Sequence, residues 1–111
     1  MTISLPYPPA NLSPNARLHW AAKARAVRVY RLIAWTNAYG YLADTSERPL
    51  PVQITFHPPD RRRRDRDNMI AAFKAGADGI ADAIGVDDGE WSPTYLVGEP
   101  VKGGKVTVTI G

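Results

Sequence analysis

The sequence predicts an α+β fold: one domain over residues 1–111, with a mixed or antiparallel sheet packed with two main helices in the order β-α-β-α-β-β. Three observations carry this. Segments 52–56 and 105–110 alternate apolar and polar residues with period two, as half-buried strands do. Two longer stretches, Arg17 to Tyr39 and Asp67 to Ala83, repeat apolar residues every three or four positions and contain no proline. Finally, 111 residues of which 44% are hydrophobic suffice for one modest core, which excludes a disordered chain and a protein with two cores.

Each element has a local cause. Ile3 to Leu5 predicts a short strand, stopped by Pro6, Pro8 and Pro9, which fix φ and remove ladder donors. Ser13-Pro14 suits the start of the first helix, with serine as cap and proline at the first position. Val27, Tyr30, Ala34 and Ala38 would form its packed stripe, and Gly40 its end. Arg25, Arg28, Arg31 and Trp35 follow the same step on another face, either a stripe that tracks phosphates or a solvated face.

Ser46 to Pro51 is a charged, proline-punctuated loop, and the strand Val52 to Phe56 halts at Pro58-Pro59. Asp67 or Asn68 can cap the second helix, which carries Ile70, Phe73, Ala77, Ile80 and Ile84 to one side. Gly76 and Gly79 weaken that helix but permit close packing, and Gly85 closes it ahead of an Asp87-Asp88-Gly89 turn. Thr94 to Val97 and Lys105 to Ile110 predict two strands, with Lys102-Gly103-Gly104-Lys105 as the hairpin between them.

Composition removes several function classes. Cysteine is absent, so there is no disulfide framework, thiolate metal site or cysteine nucleophile. The uncharged stretches are short or broken by proline, so no membrane span is expected, and the N-terminus lacks the basic and apolar regions of a signal peptide. The expectation is a cytoplasmic protein. Its net charge of +3 hides an asymmetry: residues 1–64 carry ten Lys/Arg against three Asp/Glu, and residues 65–111 four against eight. A polyanion would be drawn to the first part and repelled by the second, unless a cation bound among the acids.

The sharpest local feature is Arg61-Arg62-Arg63-Arg64-Asp65-Arg66-Asp67-Asn68, with Asp87-Asp88 beyond the predicted helix. Residues two apart in extended backbone project to one side, so Asp65 and Asp67 can converge, and the chain can return Asp87 and Asp88 to the same place. Carboxylates gathered in this way need a cation, and all-oxygen ligands select the hard ions Mg²⁺, Mn²⁺ or Ca²⁺. A cation held by aspartates and by a substrate phosphate is the usual arrangement for phosphodiester chemistry, and neighbouring guanidiniums supply forked donors to phosphate oxygens. The bland alternative makes Asp65 and Asp67 acids favoured by the helix dipole and the arginines a charged loop. Dehalogenase-like phosphatases fit poorly, since they place the motif directly after an apolar strand and follow it with threonine.

These residues resemble the RusA family of Holliday-junction resolvases of bacteria and prophages. The likeness runs through Leu5-Pro6-Tyr7-Pro8-Pro9 with Asn11, the block from Pro59 to Asn68, Asp87-Asp88, and Lys102-Gly103-Gly104. The resemblance implies a homodimeric, Mg²⁺-dependent endonuclease (Mn²⁺ substituting) that cuts four-way DNA junctions symmetrically. Motif matching makes Asp65, Asp67 and Asp88 the metal-binding and catalytic carboxylates, with Asp87 assisting. Arg61, Arg62, Arg63, Arg64 and Arg66, with the Arg25/Arg28/Arg31 face, would grip DNA phosphates.

One position departs from the pattern. The family lysine three residues after the motif asparagine would fall on Ala71; Lys74 stands about one turn further on and Asp78 follows it by four. Either Lys74 takes the catalytic role, or it is half of an i,i+4 pair and that role is lost. The rival readings are accordingly an idle module that binds structured DNA and a nuclease for other branched DNA. Of the smaller signals, His57 reads as a strand-end residue and His19 has no ligand partner. Trp20 and Trp91 suit core or base stacking, and Glu90 ranks below Asp87 for a metal shell.

Overall fold

A computed structural model describes residues 1–17, 19–41 and 46–111. Its elements are β1 (Thr2–Leu5), α1 (Trp20–Ala38), β2 (Leu50–His57), α2 (Arg66–Ala72), α3 (Lys74–Ile84), β3 (Trp91–Val97) and β4 (Lys105–Ile110), with single 3₁₀ turns at Ala10–Leu12 and Asp88–Glu90. The class is the α+β mixed sheet expected.

Strand order departs from the expectation. The sheet runs β1-β4-β2-β3, so β3 and β4 are not a hairpin. Instead β3 pairs parallel with β2, from Leu50 opposite Trp91 to Phe56 opposite Val97, and α2 with α3 forms the crossover between them. Strand β4 lies antiparallel to both β1 and β2 in the middle of the sheet. The burial patterns explain the choice. Strand β4 alternates cleanly, with Val106, Val108 and Ile110 buried, whereas most of β3 beyond Trp91 is exposed, which only an edge position tolerates. The Lys102–Lys105 segment is therefore part of a long return from the edge, not a two-strand turn.

The helices also differ in detail. Ser13-Pro14 does not open α1; a 3₁₀ turn precedes it, and the helix starts at Trp20 with His19 Nδ1 accepting from the Ala21 amide at 3.2 Å. Leu18, inside the predicted helix, lies outside the described residues. Tyr30, Ala34 and Ala38 are buried as expected, but Val27 at the stripe's margin is 36% exposed. The single second helix is in fact two, divided at Phe73, whose amide donates to the carbonyls of both Met69 and Ile70. Phe73 is buried at the break: its ring meets Tyr30 and Phe56 edge-on at centroid distances of 6.2 and 5.8 Å. Gly85, at φ 75°, ends α3 in the left-handed cap that glycine takes without strain.

Both helices cover one face of the sheet, and small residues set their spacing. A Cβ on Gly79 would lie 2.2 Å from the Arg31 carbonyl oxygen, so α1 and α3 cross nearly backbone to backbone there. This close crossing fixes where the start of α3, and hence Lys74, stands.

Candidate active site

The acidic block sits where the loop after β2 becomes helix. Asp60 folds the arginine run back on itself: its Oδ1 accepts from the Arg62 amide and from Arg64 Nη1, both at 2.9 Å. Arg64 Nη1 also donates to the carbonyls of Asp60 and Arg62, at 3.2 and 3.0 Å. With only 15% of its side chain exposed, Arg64 is a staple inside the loop. Its hydrogen bond, with that from the Arg62 amide, holds the Asp60 carboxyl below the usual carboxylate range.

Asp65, and not Asp67 or Asn68, caps α2. Its Oδ1 accepts from the amides of Asp67 and Asn68, at 2.8 and 3.4 Å, which places Asp67 in the first turn. The helix-terminus reading of these acids is therefore met: Asp65 is the cap and Asp67 an acid of the first turn. At the far side of Phe73, Lys74 opens α3. Its Nζ pairs with Asp78 Oδ1 at 3.0 Å, the i,i+4 pair weighed for this lysine, and, more closely, with Asp88 Oδ2.

The predicted site residues are thus sorted into neighbouring places. Arg62, Arg63, Arg64, Asp65 and Asn68 line a cleft of about 720 Å³ whose other wall is the proline segment around Tyr7. Lys74 and Asp78 border a smaller depression of about 200 Å³ beside Lys23. Among the described residues no three His, Cys, Asp or Glu side chains lie close enough together to hold a metal ion. The carboxylates suit a hard cation by type, but as arranged they do not close a three-acid cradle. Asp88 is neutralised by Lys74, and Asp65 commits one oxygen to helix amides.

The remaining candidates fall out singly. Arg66 Nη2 donates to the Tyr95 carbonyl at 2.8 Å, occupying an acceptor on the outer edge of β3. Arg31 directs two guanidinium nitrogens onto Asp82 Oδ2, at 2.9 and 2.6 Å, so it is tied to α3, while Arg25 and Arg28 stay exposed. Arg61 lies 3.7 Å from Glu99 and Arg48 lies 3.9 Å from Glu90. His57 ends β2 with Nδ1 against the Glu99 carbonyl at 2.8 Å. Trp91 is buried, donating to the Val86 carbonyl at 3.1 Å, and Trp20 is 76% exposed.

No family model matches the chain. Curated relatives do. It is 37% identical to the crossover junction endodeoxyribonuclease RusA of Escherichia coli K12, over 98% of this chain and 92% of that protein. It is 36% identical to the rusA enzyme of Enterobacteria phage 82, over 97% and 91% respectively. The chain belongs to the RusA family of crossover junction endodeoxyribonucleases. It is also 40% identical to an uncharacterized protein of Xylella fastidiosa, over 98% of this chain and 74% of that one.

Within this RusA-family chain, the Lys74–Asp88 pair is the electrostatic feature that sequence spacing only half foretold. The hydrogen bond from Lys74 holds the Asp88 carboxyl below its usual range, and the same contact, with that from Asp78, raises the Lys74 ammonium. A depressed acid stabilises the fold above its unfolded value of about 3.9 and loses that contribution as pH falls through the folded value. A raised lysine stabilises below about 10.4 and loses it as pH climbs through the folded value. The expected outcome is a stability difference between wild type and Lys74→Gln that is level from about pH 5 to 9, measured by urea unfolding, and shrinks below about pH 4. Because the lysine side chain is 60% exposed, that difference should not exceed about 1 kcal/mol. A slope across neutral pH would contradict the pairing.

The cleft residues that sequence reasoning missed are Tyr7, Asn15 and Met69. The proline block around Tyr7 was the available signal, but it read as a chain terminator, not as a wall.

Proposed function

We propose that this chain is a homodimeric endonuclease that resolves four-way Holliday junctions by symmetric phosphodiester hydrolysis, with Mg²⁺ as cofactor and Mn²⁺ able to replace it. The observation that carries the reading is the match, over more than nine-tenths of their length, to enzymes named for cutting crossover junctions. The aspartates and lysine of the motif support it as chemistry. Asp65, Asp67 and Asp88, with Asp87 adjoining, are the groups that would hold the ion, which when bound supplies a more acidic water and charge neutralisation at phosphate. Lys74 holds Asp88 by a hydrogen bond and would be the nearby cation available to a developing phosphate charge once the ion engages Asp88.

The basic surface supports DNA as the substrate. Arg62 and Arg63 line the cleft that holds Asp65, and Arg25 and Arg28 are exposed on α1. Contacts of this kind position a backbone without reading bases and give a steep salt dependence. A four-way junction has approximate two-fold symmetry, which a C2 dimer matches with two sites.

One observation favours the rival reading, an idle module that binds structured DNA: no three acids are gathered around one point among the described residues. Incubation with an end-labelled four-way junction separates the two. Paired, symmetric cuts are expected with Mg²⁺ and none with EDTA, while linear duplex stays intact. Binding without cleavage at any Mg²⁺ or Mn²⁺ concentration would leave the binding module, and equal cutting of flaps and three-way junctions would leave a general nuclease for branched DNA.

A further inference from the structure

We propose that the cleft between the Tyr7 segment and the arginine loop seats one unstacked nucleobase of the bound DNA, with the adjoining phosphate on Arg62 and Arg63. This rests on the junction-binding reading above and adds to it a contact with a base. Its volume of about 720 Å³ falls in the range of roughly 300–1,000 Å³ typical of sites for small organic ligands. Its lining has the composition a nucleotide requires. Tyr7 offers an aromatic face and Met69 an apolar floor, Asn15 and Asn68 offer amides to a base edge, and the two guanidiniums offer forked donors to phosphate.

The aromatic wall is held before any ligand arrives. Tyr30 Oη donates to the Pro6 carbonyl at 2.6 Å, which pins the chain just ahead of Tyr7. From the other side the Gly104 backbone presses on Tyr7: a Cβ there would stand 2.8 Å from the tyrosine Cβ. Gly104 is at φ 71°, a conformation that other residues rarely adopt, so the loop's course and the absent side chain both leave this place to Tyr7. A ring fixed in this way costs little ordering entropy on stacking.

Location decides which base is meant. Asp65 lines the same cleft, so an occupant would lie beside the motif acid and hence beside the backbone brought there. In the open form that a four-way junction takes without divalent ions, the end of each arm lacks continuous stacking, so drawing a base out there is cheaper than from regular duplex.

The test is a thermodynamic cycle in EDTA, where cleavage plays no part. Affinities of wild type, Tyr7→Phe and Tyr7→Leu are measured by fluorescence polarisation on an intact labelled four-way junction. The same is done on four junctions that each carry abasic sites at one of the four two-fold-related pairs among the eight branch-point nucleotides, because a dimer holds two seats. Wild type is expected to lose at least about 5-fold on one of the abasic junctions. Tyr7→Leu should lose a similar factor on the intact junction and little more on that abasic one, while Tyr7→Phe behaves as wild type. Losses that multiply, or indifference to the abasic sites of all four junctions, would overturn the seat.

Should Tyr7→Leu melt well below wild type, the same cycle with Asn15→Ala, at an exposed position, decides the matter by the same criterion. Junction and linear duplex bound equally by wild type would instead sink the junction reading itself. Preferential junction binding with no response to the abasic sites removes the base seat alone.

Discussion

Asp67→Asn is expected to lower cleavage of a four-way junction by about 10³-fold, the loss of the several kcal/mol that one ligand-bearing carboxylate contributes to a phosphoryl transition state. Its affinity for the junction in EDTA should change by less than about threefold, because removing one negative charge near phosphate does not weaken a contact made by arginines. The substitution preserves shape, and the α2 cap is made by Asp65 to the residue's backbone amide, so the helix start survives. The fold should therefore lose no more than about 1 kcal/mol of dipole interaction. Single-turnover cleavage, filter binding and a thermal melt on one preparation give all three numbers. Unchanged cleavage would remove Asp67 from the chemistry and leave it a helix-terminus acid.

Gly79→Ala is expected to destabilise the fold strongly although it adds only one methyl group. In an ordinary helix the exchange would gain about 1 kcal/mol. In α3 the new Cβ would fall 2.2 Å from the Arg31 carbonyl oxygen and 2.9 Å from the Ala34 Cβ. The first of these is backbone in the middle of a 19-residue helix and cannot rotate away, so α1 and α3 must separate. Overpacking of this kind costs roughly 1–3 kcal/mol and more when backbone must shift, so about 3 kcal/mol net is expected. For a chain of this size that lowers the melting temperature by roughly 10–20 °C, followed by circular dichroism. Cleavage should fall as well, since the start of α3 carries Lys74. A variant as stable as wild type would mean that the helices do not cross so closely.

Much of the fold was legible locally. Period-two alternation found β2 and β4, proline ended β1, Gly85 ended α3, and the Tyr30, Ala34 and Ala38 stripe found the packed side of α1. The reason is physical: these signals depend on which face of one segment is apolar, and a segment carries that information within itself. Two local readings were misled by chemistry equally at home elsewhere. Ser13-Pro14 has the form of a helix start but lies in the loop before α1, and Gly103-Gly104 has the form of a hairpin but presses on Tyr7. At Ser13 the hydroxyl accepts from the Asn15 amide in a local turn that starts no helix, and at Gly104 the partner, Tyr7, is distant in sequence.

The candidate site divides in the same way. The sequence alone determined its residue types: a run of arginines, an Asp-x-Asp pair at a helix start, a second aspartate pair, and a lysine one turn late. Tertiary structure decided their assignments. It placed β4 inside the sheet and β3 at its edge, because β4 has two neighbours to satisfy and β3 is too exposed for a central position. It divided the second helix at Phe73, whose buried ring meets Tyr30 and Phe56 from distant parts of the chain. It sent Lys74 to Asp88, Arg66 to the Tyr95 carbonyl and Arg31 to Asp82. Each of these is a pairing between separate parts of the chain, and which charge meets which depends on where the packed core leaves them, a quantity that no local window contains.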